Sequence, residues 1–344
     1  MSLIKALKMP ANPFKNKIIM VTGGTGSIGS VIVSQLLKYG PKQIRILSRN
    51  DSRQYHLMEK LNYPENVRAL IGDIRDAKRL DLAFENVDVV FHAAALKHVS
   101  LCEYNPLEAI KTNVFGSQNV IDAAFKNKVE KVIAISTDKA ANPGNIMGLS
   151  KLMMEKLMTN TTYFSEGKTK LSCVRFGNVA WSEASVLHLW QKQAEKNKQI
   201  SLTDEHATRF FMSIDQAVKL VLKAAELTQG GEVFILKMPS IKMADLANVF
   251  IDKHFPGKKI KIQLTSKRIG DKTHEELFDF NDDQKLIVEN DKMFIMLPRE
   301  SIKITKLYAS NDSKLSNYTG FKAVAKTSYS SPDYLDNDLI KKII

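Results

Sequence analysis

Eight residues, Thr22-Gly23-Gly24-Thr25-Gly26-Ser27-Ile28-Gly29, constrain the fold of this chain more than any other stretch. Residues 17–22 before them are short, apolar and rich in β-branched side chains, the profile of a buried strand. Residues 27–39 after them place Ile28, Val31, Ile32 and Leu36 at helical spacing and stop at the Gly40-Pro41 breaker. Strand, glycine turn and helix in this order build a cradle for phosphate. Glycines at 23, 26 and 29 permit a tight turn, close approach of backbone to an anion, and close contact between helix and strand. The free N–H groups of the helix start then face the anion. Dinucleotide binding, rather than a plain tight turn, is the reading of this segment.

The alternation continues along the chain. Residues 43–47, 67–71, 87–92, 131–136, 171–176 and 232–236 have strand character, while 150–160 and 213–228 have helical spacing. This predicts the α/β class: a Rossmann-type doubly wound parallel sheet with right-handed crossovers and a smaller C-terminal substrate-binding lobe. Past residue 238 the pattern loosens, with Pro239, Pro256-Gly257 and Gly270 as punctuation. The expected organisation is an N-terminal arm over 1–16 and a nucleotide-binding domain over 17–178, to which 209–238 return. Residues 179–208 and 239–344 would form the substrate-binding lobe and C-terminal tail.

Charge narrows the partners. The 344 residues carry 50 basic and 37 acidic side chains, a net charge of +13, which attracts anions. The basic residues are scattered, without an arginine-rich run or an interleaved aromatic stripe, so a phosphorylated small molecule suits the field better than nucleic acid. No run of about 18 apolar residues predicts a membrane span. The 2 cysteines, Cys102 and Cys173, have neither metal-ligand spacing nor a disulfide framework. No metal site is expected, and a reducing cytoplasm is the natural setting. Residues 1–17 lack the apolar core of a signal peptide and read as a frayed end or a short amphipathic arm.

The second strand ends Leu47-Ser48-Arg49-Asn50, without the acid that would hold a ribose 2′-hydroxyl. Arg49, with Arg53 one turn on, offers charge for a 2′-phosphate, which favours NADP over NAD. The alternative is two solvated arginines at a helix start. Asp73 and Ile74 follow the third strand, where an adenine would lie, and Ala93 and Ala94 follow the fourth, where small side chains admit a cofactor. After the fifth comes Ser136-Thr137-Asp138-Lys139, an acid beside a potential base. Lys151 would complete a Tyr-x-x-x-Lys pair if position 147 were tyrosine, but it is Met147, which has no proton to lose.

These segments resemble a family. Thr-Gly-Gly-Thr-Gly-Ser-Ile-Gly, His92-Ala-Ala-Ala-Leu-Lys-His98, Glu103-Tyr-Asn-Pro106, Thr112-Asn113-Val114, Ser136-Thr-Asp-Lys-Ala140, Arg175-Phe-Gly-Asn-Val179 and Thr208-Arg-Phe-Phe-Met212 fall in the order of the extended short-chain dehydrogenase/reductases. More narrowly, Ser-Thr-Asp-Lys-Ala and Ala-Leu-Lys-His resemble the nucleotide-sugar 4,6-dehydratases that act on UDP-N-acetylglucosamine in polysaccharide and flagellin-glycan synthesis. The likeness extends from about residue 15 to Phe278 and includes Gly270-Asp-Lys-Thr-His-Glu-Glu276.

The resemblance implies C4 oxidation by NADP, removal of the C5 proton, loss of the C6 hydroxyl and hydride return to C6. It makes Asp138 the acid and Lys139 the C5 base, with a lowered lysine pKa, and leaves the C4 hydroxyl proton to Thr137, water or Asp138. Lys151 would bind the nicotinamide ribose. Lys97, His98 and Met147 would line the sugar pocket, while Asn178, Arg209 and Arg268 would face the UDP phosphates. A homo-oligomer is expected.

The chain departs from the family pattern after Val179, where Trp181 adds bulk and Glu183 replaces a cation, and at Ile269. A UDP-sugar epimerase or reductase of the same fold, or a non-catalytic NADP/UDP-sugar-binding homologue, are the competing readings. The adjacent Asp138 and Lys139 favour dehydration, because simple C4 epimerisation needs no elimination pair.

Overall fold

The computed structural model describes residues 12–165, 168–267, 270–278, 285–298, 318–324 and 328–344. Strands β1 (Ile18–Thr22), β2 (Gln43–Ser48), β3 (Val67–Ile71), β4 (Val89–His92), β5 (Lys131–Ile135) and β6 (Lys170–Arg175) arise from the apolar runs noted above. Shorter strands follow: β7 (Asn178–Val179), β8 (Gln199–Leu202) and β9 (Thr208–Met212). Then come β10 (Val233–Leu236), β11 (Ser240–Lys242), β12 (Lys261–Leu264), β13 (Glu276–Phe278), β14 (Lys285–Glu289), β15 (Met293–Pro298), β16 (Lys322–Ala323) and β17 (Tyr329–Ser330).

The main sheet has the order β3-β2-β1-β4-β5-β6-β10-β15-β14-β16. From β3 to β10 every pairing is parallel, and β15, β14 and β16 extend the edge antiparallel. Strand order reverses between β1 and β4. That switch point opens a crevice at the carboxyl ends of the strands, where α/β sheets bind ligands.

Helices α1 (Ser27–Leu37), α2 (Asp51–Lys60), α3 (Ala77–Phe84), α4 (Val99–Tyr104), α5 (Pro106–Ala109), α6 (Gly116–Lys126) and α7 (Ile146–Thr161) fill the crossovers of the first half. They are followed by α8 (Val186–Asn197), α9 (Ile214–Leu227), α10 (Met243–His254) and α11 (Asn337–Ile343). A π-turn, Ile110–Phe115, joins α5 to α6. Helix α7 begins earlier than its apolar spacing suggests. Asn145 accepts a hydrogen bond from the Gly148 N–H at 2.8 Å, and the Glu103 carboxylate takes the Ile146 N–H at 2.6 Å. The N-cap and one remote side chain thus satisfy amides that the helix cannot.

A second apolar cluster, centred on Trp190, Phe211, Ile241, Phe250 and Ile343, forms the smaller lobe. Residues 239–344, all assigned by sequence to the lobe and tail, divide in the structure. β11, α10 and α11 contribute to the lobe, whereas β14–β16 extend the main sheet. The apolar β15 (Met-Phe-Ile-Met-Leu-Pro) pairs with β10, so its burial lies in the main core. Among the described residues, no helix is long and apolar enough to cross a membrane.

Beneath the site, Arg175 donates to both oxygens of Glu155, at 3.0 and 2.5 Å, and to the Leu277 carbonyl at 2.7 Å. The pair is fully buried and ties α7, β6 and β13 together. Glu155→Gln should leave Arg175 without its counter-charge and destabilise the fold by about 3–5 kcal/mol, measured by denaturant unfolding. A loss below about 1 kcal/mol would contradict this role.

Candidate active site

The glycine turn lies at the switch point. Gly23 has φ +69°, and a Cβ there would sit 2.6 Å from the Ala94 nitrogen and 2.8 Å from the Ala93 carbonyl carbon. A Cβ on Gly29 would lie 2.4 Å from the Gly23 carbonyl oxygen. The ends of β1 and β4 and the start of α1 are therefore in backbone contact. Gly26 heads α1 without a capping side chain, and the first turn carries no acid, so the positive end of the helix is not neutralised. These residues fit a dinucleotide pyrophosphate. Below the turn, Thr22 Oγ1 bonds His92 Nδ1 at 2.7 Å, and His92 Nε2 bonds Ser117 Oγ at 3.0 Å. Burial, with the Lys151 charge adding to it, lowers the His92 pKa to about 3, so the ring stays neutral.

The two arginines read as free cations each face an acid. Arg49 lies 3.7 Å from Asp73, whose carboxylate also takes Arg75 at 2.7 Å. Arg53 binds both Glu183 oxygens, at 2.5 and 3.2 Å. Glu183, the unexpected anion after Val179, thus reaches across from the lobe. Its N–H donates to Ser27 Oγ at 2.9 Å, and its carbonyl accepts from Lys97 Nζ at 2.7 Å. Ile74 is buried, and its side chain packs against Gly116.

At the end of β5 a short 3₁₀ turn, Asp138–Ala140, holds the acid and the base. Asp138 is 1% exposed, so its pairing with Lys139 is a buried contact rather than a surface ion pair. Lys139 Nζ lies 3.1 Å from Asp138 Oδ1, and Thr137 Oγ1 donates to the same oxygen at 2.8 Å. On its other side, Lys139 Nζ lies 3.3 Å from Glu275 Oε1. Glu275 is also buried, and Asp138 Oδ2 and Glu275 Oε2 have no hydrogen-bond partner among the described residues.

The expectation of a lowered Lys139 pKa is overturned. Burial acts to lower it, but Asp138 and Glu275 together outweigh burial and hold the ammonium above the usual lysine range. Lys151 behaves the other way. Burial lowers it to about 8, against the opposing influence of Cys173 and Glu155, and its Nζ donates to the Ile135 carbonyl at 2.5 Å.

Other sequence candidates lie at varying distance from this chemistry. Arg209 is committed rather than free. Its two terminal nitrogens donate to the carbonyls of Thr208, Thr273 and Lys272 at 2.8–2.9 Å, and its Nε lies 3.7 Å from Glu275. The guanidinium that the resemblance assigns to a phosphate therefore braces Glu275 and the 272–275 loop. Met147 is buried in a small apolar cluster with Cys102 and Ala109, so its side chain packs instead of lining an open pocket. His98 occupies the N-cap of α4 without bonding its amides, and Asn178 is half-buried opposite Phe211. Arg268 lies outside the described residues.

Two residues were missed as site members. Glu275 stood in the late Gly-Asp-Lys-Thr-His-Glu-Glu motif, and only the fold brings it to Lys139. Asn113, in the π-turn, bonds both the N–H and the carbonyl of Leu96, at 2.8 and 2.9 Å, and Ser150 Oγ at 2.9 Å. It locks the loop after β4 to α7.

The profile of the polysaccharide biosynthesis protein family matches residues 19–298. The chain is 49% identical, over 92% of its length and 97% of the relative's, to an uncharacterized membrane protein of Methanocaldococcus jannaschii. It is 42% identical to the inverting UDP-N-acetylglucosamine 4,6-dehydratase of Campylobacter jejuni, covering 83% and 84% of the two chains. It is 40% identical to a UDP-glucose 4-epimerase of Rickettsia canadensis, covering 89% and 91%. Among solved structures, Pen from Bacillus thuringiensis superposes with a TM-score of 0.85 at 39% identity, over 96% of this chain and 98% of that one. The dTDP-glucose 4,6-dehydratase DesIV of Streptomyces venezuelae, with NAD bound, shares the fold at 20% identity and a TM-score of 0.68, over 76% and 87%.

Gly29→Ala should weaken binding of a reduced nicotinamide dinucleotide at least tenfold, about 1.4 kcal/mol, in a fluorescence titration. Unchanged affinity in a folded variant would contradict dinucleotide binding at the glycine turn.

Proposed function

The chain belongs to the polysaccharide biosynthesis protein family of nucleotide-sugar dehydratases and epimerases, and from this membership we propose that it is an NADP-dependent 4,6-dehydratase. Its substrate is UDP-N-acetylglucosamine or a close UDP-N-acetylhexosamine, used in surface polysaccharide or glycan biosynthesis in the cytoplasm. One observation carries the reading: an adjacent acid–base pair, buried Asp138 and partly buried Lys139, 3.1 Å apart, with the second carboxylate oxygen unpartnered among the described residues. The relatives' names include both dehydratases and epimerases, and this pair favours elimination.

Thr22 to Gly29 hold the pyrophosphate, with Ala93 and Ala94 beside them, Arg49 and Asp73 toward the adenosine, and Lys151 at the nicotinamide ribose. A bound nicotinamide supplies the acceptor for the C4 hydride and the donor that returns it to C6. The protein moves the protons. The C4 hydroxyl proton passes through Thr137 Oγ1, 2.8 Å from Asp138, so the tyrosine absent at Met147 is not required. Asp138, now protonated, gives that proton to the departing C6 oxygen, which leaves as water. Lys139, as the free amine, takes the C5 proton while its bonding pair forms the C5–C6 double bond. Lys97, His98 and Asn178 border the sugar and the phosphates, and Arg209 holds the 272–275 loop that carries Glu275.

A homo-oligomer accompanies this reading. Leu101, Tyr104, Leu107, Phe115, Leu149 and Met153 are exposed on α4, α5, the π-turn and α7, which touch one another and form one apolar face. A second copy of the chain would cover it.

Incubation with UDP-N-acetylglucosamine in D₂O, followed by NMR, should yield a 4-keto-6-deoxy sugar bearing deuterium at C5. Lys139→Met should slow it by about 100-fold or more. Conversion to the C4 epimer without a keto product would favour the epimerase reading. Cofactor binding without turnover would favour a non-catalytic role.

A further inference from the structure

The proton inventory of this reaction leaves one proton without a place. Asp138 receives the C4 hydroxyl proton and Lys139 must receive the C5 proton, yet Lys139 rests as an ammonium between two carboxylates. Its own proton has to move first, and Asp138 is already committed. We infer that Glu275 is the residue that takes it: the Lys139 N–H bond breaks, the proton forms an O–H bond on Glu275 Oε1, and the nitrogen lone pair becomes available for C5. The same proton returns to Lys139 when C5 is reprotonated, so charge and atoms close within one turnover. This inference rests on the dehydratase reading. It makes Glu275 a positioning residue acting through Lys139, because no atom of it meets the sugar in this scheme.

The geometry supplies what such a step requires. Glu275 Oε1 is 3.3 Å from Lys139 Nζ, nearly as close as Asp138 Oδ1 at 3.1 Å on the opposite side. The carboxylate is 4% exposed, and Oε2 has no partner among the described residues, so its ionised form is costly and proton uptake relieves the cost. The charged groups around it come from two segments. Lys139 and Asp138 face it from the 3₁₀ turn, and Arg209 from β9 at 3.7 Å. Its chain neighbours turn elsewhere: His274 Nδ1 bonds Thr208 Oγ1 at 2.8 Å, and Glu276 faces Lys272 at 3.9 Å. Burial and the nearby Asp138 raise its pKa, and Lys139 and Arg209 oppose them without prevailing. A bond from the Glu275 N–H to Ser331 Oγ, at 3.0 Å, holds its backbone in place.

The test uses the full-length protein with NADP and UDP-N-acetylglucosamine in D₂O, reading C5 deuterium uptake against pH for wild type, Glu275→Gln and Glu275→Asp. In Glu275→Gln the Lys139 proton must go to solvent. Uptake should fall at least about 100-fold near neutrality and then rise by about tenfold per pH unit, where wild type is flat. Glu275→Asp should restore the flat profile. A Glu275→Gln variant with the wild-type rate and profile, or one depressed equally at every pH while folded and binding NADPH normally, would overturn the inference. Those results would leave the dehydratase reading intact. Wild type forming no keto sugar and no C5-deuterated product would instead overturn the reading, and the inference with it.

Discussion

An ammonium held between two buried carboxylates organises this molecule. Lys139 sits between Asp138 and Glu275, and the remote segments around it are arranged so that this contact can exist. Gly148 lets α7 lie against the Lys139 carbonyl, where a Cβ would come within 2.3 Å. The late loop is pinned to the same turn. Asn145 donates to the Gly270 carbonyl at 3.2 Å, and Lys272 donates to the Ala141 carbonyl at 3.0 Å. Gly270 adopts φ +76° with no room for a side chain. Arg209, bonded to three carbonyls, supplies the second cation that makes two buried acids tolerable.

Around this cluster the charges are balanced locally instead of being left open to ligand. Arg49 meets Asp73, and Arg53 meets Glu183. A 2′-phosphate at this end of the crevice would therefore compete with two carboxylates, both at least partly exposed and weakly held. Glu183 also bonds Ser27 and Lys97 through its backbone, so one residue of the lobe touches the glycine turn and the loop after β4 together. Its flanking residues, Trp181 and Ala184, hold positive φ angles of 55° and 57° to make that reach.

Much of the fold was legible because its signals are local. The strand–glycine–helix unit, the parallel alternation and the position of β10 follow from periodicity and breakers over short windows. The late antiparallel strands were not, because the apolar stretch that forms β15 does not itself say which sheet it joins. At the site, Asp138 and Lys139 stood out as neighbours in sequence. Glu275 did not, since its role depends on a contact between segments far apart in the chain. The direction of the Lys139 pKa failed for the same reason: the nearby lysines were visible in sequence, but the second carboxylate was not. Ile74 faced inward because Gly116 opposite it leaves space for the side chain.

The central claim is that the buried pair directs an elimination which carries hydrogen from C4 to C6 of one sugar. The most direct measurement is a single turnover with UDP-N-acetylglucosamine deuterated at C4, followed by NMR of the product. The account predicts the label at C6 of a 4-keto-6-deoxy sugar. A label retained at C4, in a sugar whose C6 hydroxyl is intact, would contradict it.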